Sequence, residues 1–493
     1  MRNDYLLAIY DITGIQEYIF ASNRLQENMG ASFIVGNMVK EYFTEIANRH
    51  EILTEWHRDD VAREFTLFAN STAKGEVIYI GGGNALVVYR DWAVYNEVNK
   101  EFALKVLEES ASLTMVTEAI SFSEEADSYE KIYSNLMEKL SETKSKIVRT
   151  KLNQTLPVFA QEPFKGEPIT KKYPVAEDKV EYLSTEQWLK RQASQEDFFK
   201  DISNKFARET PHMKRQVGED SYTAVVHIDG NGMGEWLKGN LRDSSEKSLK
   251  ENLQGAQKIK AGIEQHRASS LKITSYFRTI FSQTVQDVMH GKDNIPLRPL
   301  ILDGDDITFI CQADWGIEFT QKFLENLDVQ GKEDHIYACA GIALVHSHFP
   351  FQLAYDIAEQ CCQRAKKRYY NNEKSGSYLD FYIVRGSYVQ TMDEQLAALG
   401  DLGGEAYTTD EMEKLLNVSK CLTANWPRSR LIQLYEAYLS GEEAVELVKD
   451  EAASRGYSLE KVEDTILFNA LRLLEFVQKE GGSKCDSMSF SSH

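Results

Sequence analysis

The sequence predicts an α+β chain: two related halves in tandem, followed by a helical segment. Three observations carry this. One order of parts occurs twice, namely a strand-like apolar run with an aspartate at its end, helical sequence, and a hairpin with a Gly-rich or acidic tip. Each half then continues with a further helix and strand. Beyond about residue 387 the periodicity is helical.

In the first half the strand is YLLAIYDI, closing on Asp11, followed by helical GIQEYIFASNRL and ASFIVGNMVKEYFTEIANRH and the hairpin VIYIGGGNALVVYR. The helix WAVYNEVNKEFALKVLEES and the strand LTMVTEAISFS complete it. Residues 151–218 are polar, and the prolines and glycine of PVFAQEPFKGEPITKKYPV argue for a linker or small insertion. The second half opens with TAVVHID, ending at Asp229, and runs through SYFRTIFSQTVQDVMH to the hairpin PLILDGDDITFIC. WGIEFTQKFLENL, IYACAGIALVHS, FQLAYDIAEQCCQRAKKRYY and SYLDFYIV follow as helix, strand, helix and strand. The predicted boundaries are 1–150, 151–218, 219–386, a helical domain at 387–480 and a disordered Gly/Ser-rich tail at 481–493.

A chain of 493 residues with a formal charge of -20 is no general binder of phosphate backbones, although a small anionic ligand carrying its own metal ions is compatible with it. The six cysteines form no C-x-x-C pair, so neither a disulfide nor a zinc ribbon is expected. No apolar run is long enough for a signal peptide or a membrane span, which predicts a cytoplasmic protein with no membrane partner. Gly81 to Gly83 are not followed by G-K-[ST], which excludes a P-loop.

The chemistry concentrates in LDGDDITF. Asp-Gly is itself a hairpin signal, and Asp229 alone would read as a helix cap. Together they read differently. TAVVHID is apolar on both faces, as a central strand is, so Asp229 at its end would sit beside the tip of a neighbouring hairpin carrying Asp305 and Asp306. Carboxylates converging on one point repel unless a cation neutralises them, and Mg²⁺ prefers one or two carboxylates with waters and phosphates. The expected ligand is a nucleoside triphosphate. Aligned on this hairpin, the first half has Gly83 and Asn84 where the second has Asp305 and Asp306, so only the second half can hold metal there.

DITGIQEYIFASNRLQENMGAS, HIDGNGMGEWL, LDGDDITFI and AGIALVHSHFPFQLAYDIAEQCCQRAKK resemble, in that order, the two palm domains of the large, polymerase/cyclase-like subunit of type III CRISPR effector complexes. The resemblance covers roughly residues 1 to 385, and the second palm is also similar to GGDEF nucleotide cyclases. It implies two ferredoxin-like palm domains in tandem plus the C-terminal helical domain. It further implies a GGDD motif that binds two Mg²⁺ or Mn²⁺ ions and joins ATP into cyclic oligoadenylates. The matching residues are Asp303, Gly304, Asp305 and Asp306, with Asp303 replacing the first glycine. By the same resemblance Asp229 and the Gly230 carbonyl are metal ligands with Asp305 and Asp306, and Lys366 meets the triphosphate. The first palm would help to bind a second nucleotide, with Asp11 and Ser32 as candidates.

Two family features are missing from the sequence. There is no His-Asp dipeptide of an HD nuclease domain, so cleavage of single-stranded DNA is not expected, and FAQEPFKGEPITKKYP has no cysteine where a zinc ribbon commonly lies. The expected function is therefore a nucleotidyltransferase that makes a cyclic nucleotide messenger in antiviral signalling. The alternative is a non-catalytic nucleotide-binding scaffold of an RNA-guided complex, partnered by RNA and CRISPR subunits. Whether the chain forms a homodimer is left open.

Overall fold

The computed structural model describes residues 4–70, 72–123, 128–147, 158–163, 165–176, 179–213, 221–385, 392–457 and 462–477. The first half contributes β1 (Asp4–Thr13), β2 (Ile52–Leu53), a short pair β3 (His57–Arg58) and β4 (Val61–Ala62), β5 (Gly75–Gly81), β6 (Asn84–Tyr89) and β7 (Thr114–Ser123). Its main sheet has the order β2-β5-β6-β1-β7. Next comes a separate hairpin, β8 (Lys171–Ala176) and β9 (Lys179–Leu183), in the segment predicted as a linker. The second half supplies β10 (Tyr222–Gly230), β11 (Leu297–Asp303), β12 (Asp306–Gln312), β13 (Ala338–His346) and β14 (Tyr378–Ile383), and β15 (Tyr407–Thr408) adds an edge, giving β11-β12-β10-β13-β14-β15.

The repeated order of parts in the sequence has a topological counterpart. In each half the first strand lies between the last strand and the hairpin: β7-β1-β6-β5 in one sheet and β13-β10-β12-β11 in the other. This is the ferredoxin-like order, so the fold is α+β with two such sheets in tandem and helices at the C-terminal end. Both first strands are apolar on alternate residues of both faces, as the runs YLLAIY and TAVVHI require.

The two sheets share one core. A single apolar cluster takes Leu6, Ala8 and Tyr10 from β1 and Val225, Ile310 and Ala343 from the second sheet. Phe20 stacks on Tyr355 at 4.7 Å between centroids. The helix Ala256–Val288 spans the halves: Phe277 and Phe281 pack under the second sheet, while the buried Arg267 reaches the first, donating to Glu76 Oε1 at 2.8 Å and to the Ile78 carbonyl at 3.1 Å. The C-terminal helices Thr409–Asn425, Arg428–Ser440 and Asp464–Arg472 share their core with the other face of the second sheet.

Cys311, Cys339, Cys361 and Cys362 are buried free thiols, as expected, but Cys421 is disulfide-bonded. That corrects the expectation of no disulfide. The tail predicted at 481–493 lies outside the described residues. Among those residues no helix is long and apolar enough to cross a membrane.

Candidate active site

The two hairpins close on different turns, and the difference decides where a carboxylate can stand. In the first half Gly81 pairs with Asn84, and both central residues, Gly82 and Gly83, have positive φ (62° and 73°). This is the type I′ pattern, which favours glycine at both positions. In the second half Asp303 pairs with Asp306, Gly304 has φ 62°, and Asp305 takes no positive φ. One left-handed residue suffices there, as in type II′ turns, so the second central position is free to carry Asp305. Asp303 occupies the outer position of the turn, where no glycine is needed.

Asp229 closes β10, next to β12 on one side and β13 on the other. A Cβ on Gly230 would lie 2.7 Å from both Cβ and Oδ2 of Asp305, so the strand end and the turn are in contact. Asp305, Asp306 and Asp229 thus face one another. Burial, then the negative charge of Asp229, pushes Asp305 up to about 7. Burial also pushes Asp306 up to about 6, Asp229 adding to the rise and His227 opposing it. Asp306 Oδ1 is buried without a hydrogen-bond partner.

Cations reach this cluster from the helix Phe351–Asn371. Gly341 of β13 lets that helix lie close, since a Cβ there would fall 1.9 Å from the Ala358 carbonyl oxygen. Lys366 donates to Asp229 Oδ2. Burial disfavours the ammonium, but Asp229 outweighs it and lifts the lysine above its ordinary value. Seven residues earlier on the same face, Glu359 Oε2 meets Nε2 of the buried His227 at 2.9 Å, and His227 Nδ1 lies 3.5 Å from Asp306 Oδ1 and 3.1 Å from Thr308 Oγ1. Burial opposes the imidazolium, yet Glu359 and Asp306 raise His227 above its usual value, while the bond to His227 holds Glu359 down at about 2. Sequence reading missed both groups. His227 was within reach, because a residue two before Asp229 on a strand faces the same way.

The first half meets the acidic turn directly. Gln16 Nε2 donates to Asp306 Oδ2 at 3.2 Å, and the Gly83 N–H donates to Asp303 Oδ2 at 3.3 Å. Alongside lies a cavity of about 400 Å³ lined by Asp11, Thr13, Gly14, Gln16, Gly82 and Lys144, among others. Asp11 is buried there, raised by desolvation against the pull of Lys144, whose Nζ donates to its Oδ2 at 2.6 Å. Ser32 is elsewhere: it is packed inside, donating to the Leu300 carbonyl at 2.6 Å, and its hydroxyl is spent on joining the halves. Asp11 lines the cavity, Gly230 meets Asp305, Gly304 forms the acidic turn and Lys366 pairs with Asp229, whereas Ser32 lies apart from all of them. Among the described residues no group of three or more His, Cys, Asp or Glu is arranged to hold a metal ion.

Residues 222–374 match the family profile of the Cas10/Cmr2 second palm domain. No curated protein matches the chain. Among solved structures, the Csm1-Csm4 cassette in complex with cA3 is similar over 97% of this chain and 70% of that one, with 11% identity and a TM-score of 0.56. The same cassette with one ATP gives the same coverage, identity and TM-score. The Csm1-Csm4 subcomplex of the type III-A CRISPR-Csm interference complex is similar over 96% of this chain and 70% of that chain, at 11% identity and a TM-score of 0.54. Residues 222–374 thus match a second palm domain of the Cas10/Cmr2 kind, in a chain whose overall fold is similar to that of the Csm1-Csm4 cassette.

Proposed function

We propose that the chain is a nucleotidyltransferase that joins ATP into a cyclic oligonucleotide, acting within or beside a type III CRISPR system. One observation carries this reading: Asp229, Asp305 and Asp306 meet at the strand end and turn of the second palm, two of them pushed toward neutrality by burial and by Asp229. Clustered acids cost stability unless a cation joins them. The similarity to cassettes determined with one ATP, pppApApA and cA3 supports the substrate and product class.

The donor types, all oxygen and including a buried carboxylate oxygen on Asp306 without a hydrogen bond, are those a hard divalent cation takes, although as placed they form no preassembled metal group. Asp229, Asp305, Asp306 and the Gly230 carbonyl would hold it, and Mg²⁺ or Mn²⁺ bound there would lower the pKa of the attacking ribose hydroxyl and balance triphosphate charge. The Gly304-Asp305 turn presents the acids. Lys366 contributes positive charge toward the pyrophosphate that leaves. Gly82 and Lys144, around the first-palm cavity, offer a second nucleotide a backbone edge and a cation, with Asp11 beneath.

The test is incubation with ATP, or all four triphosphates, and Mg²⁺ or Mn²⁺, with products identified by mass spectrometry beside Asp305→Ala/Asp306→Ala. A cyclic product that disappears in the double variant is expected. Product from the double variant would remove the assignment. The second reading is a scaffold that binds nucleotide without turning it over, and the ion pair from Lys366 favours it, because it already neutralises Asp229. ATP binding without product, unchanged in the double variant, together with co-purifying RNA or CRISPR subunits, would select it.

A further inference from the structure

The acidic turn of the second palm is gripped at both ends by the first palm. Asp303 and Asp306 are the paired residues that flank the Gly304-Asp305 turn. Asp303 accepts from the Gly83 N–H, and Asp306 accepts from the Gln16 side chain. The two donors belong to one unit. Gly83 is pressed against Ile15, the neighbour of Gln16, so closely that a Cβ would fall 2.6 Å from Ile15 Cδ1, and the Gly83 carbonyl accepts from the Ile12 N–H at 3.1 Å. The left-handed conformation of Gly83 completes the turn that carries its N–H to Asp303.

We propose that Gln16 and Asp303 are positioning residues. Through them the first palm fixes the orientation of the second palm's acidic turn, and so the placement of Asp305 and Asp306. This rests on the nucleotidyltransferase reading for its consequence in catalysis, but the clamp itself is a property of the fold. It gives Asp303 a use distinct from its neighbours: its carboxylate is turned to the first palm. Gln16 also lines the 400 Å³ cavity, so a group bound in that cavity touches the same side chain that holds Asp306.

Hydrogen exchange of the full chain, read by mass spectrometry over peptides spanning residues 78–90 and 297–312, tests the clamp without any need for activity. Gln16→Ala and Asp303→Ala should each speed exchange in both peptides by about tenfold, and Asp303→Asn, which keeps an acceptor oxygen, should restore protection. Unchanged exchange in both alanine variants overturns the proposal, whether or not the wild type makes product. Steady-state kinetics supply the second arm: the alanine variants should lower kcat about tenfold with KM for ATP within about twofold. A rise in KM at constant kcat would assign Gln16 to nucleotide binding and overturn its positioning role. Far-UV circular dichroism checks folding, and should Asp303→Ala fail to fold, the comparison of Asp303→Ser with Asp303→Asn replaces it under the same criteria. A wild type without product, with exchange behaving as expected, would sink the enzymatic reading and leave the clamp standing.

Discussion

Gly230→Ala separates geometry from chemistry at the proposed active centre. The substitution keeps the Gly230 carbonyl and adds no charge, and the residue has no positive φ that alanine would resist. Its Cβ would meet Cβ and Oδ2 of Asp305 and Cγ of Met233 at 2.7 Å, some 0.7 Å inside the 3.4 Å onset of ordinary contact. Met233 is the flexible partner, but two of the three close atoms belong to Asp305, so the carboxylate must move by several tenths of an ångström. A misplacement near 1 Å costs on the order of 10²-fold in rate. The overpacking itself costs about 1–3 kcal/mol, which leaves a folded protein. The expected result is a fall of 30- to 100-fold in product formation, roughly that of the misplacement, with intact circular dichroism and a modest shift in the urea midpoint. A rate within about threefold of wild type would show that Asp305 need not stand where the structure puts it, and the argument from convergence would fail.

Three further perturbations address the cation, the junction of the halves and the buried histidine. Lys366→Met should cut the rate on the order of 10²-fold while moving the urea midpoint little, because the ion pair with Asp229 is partly exposed; an unaffected rate would remove Lys366 from the proposed machinery. Arg267→Ala leaves the buried Glu76 without its cation and should cost about 3–5 kcal/mol, read as an earlier urea transition, whereas Arg267→Met with Glu76→Gln should recover most of the loss. A loss below about 1 kcal/mol in the single variant would contradict the view that this pair staples the halves. His266 is fully buried beside Tyr129, and burial pushes it down to about 3 from 6.5. The unfolded chain therefore takes up the proton first as pH falls. Stability is complete above 6.5 and declines toward 3 at about 1.4 kcal/mol per pH unit, or about 2 kcal/mol by pH 5. His266→Phe should flatten that slope in pH-dependent urea titrations, and an unaltered slope would refute the assignment.

What was legible in the sequence was what is local in it. The apolar runs of β1 and β10 fixed the first strand of each sheet, and the resemblance of four motifs carried the two palms. Asp229, Asp305, Asp306 and Lys366, which the structure brings together, were singled out because each sits at a strand end, a turn or a helix face that a short motif marks. Ser32 was misjudged for the opposite reason: its neighbours in sequence say nothing of Leu300, to which its hydroxyl is bonded. Gln16, 290 residues from Asp306, is the same case, since no periodicity links an amide on a short helix to a carboxylate in a distant hairpin. Glu359 could have been reached by asking what lies two helical turns before Lys366, once that helix was known to lie along β10. The disulfide of Cys421 could not.

The first half provides an internal comparison for the acids of the second. Its hairpin has the same place in the same sheet order and closes on Gly82, Gly83 and Asn84 with no carboxylate. A hairpin at this position of the fold therefore forms without acids, and a chain needing only a turn would have kept the glycines. The second hairpin instead holds Asp305 and Asp306 against Asp229, at the cost of raised carboxylate pKa values, and surrounds them with Lys366 and with His227, itself anchored by Glu359. Lys366 pairs with Asp229 and His227 with Asp306 and Glu359, and the turn type changes with the acids, from two left-handed residues to one, which is what makes room for Asp305. Folding requires none of this. The proposed ligand, a metal-bound triphosphate, is one that would draw on concentrated negative charge beside a lysine.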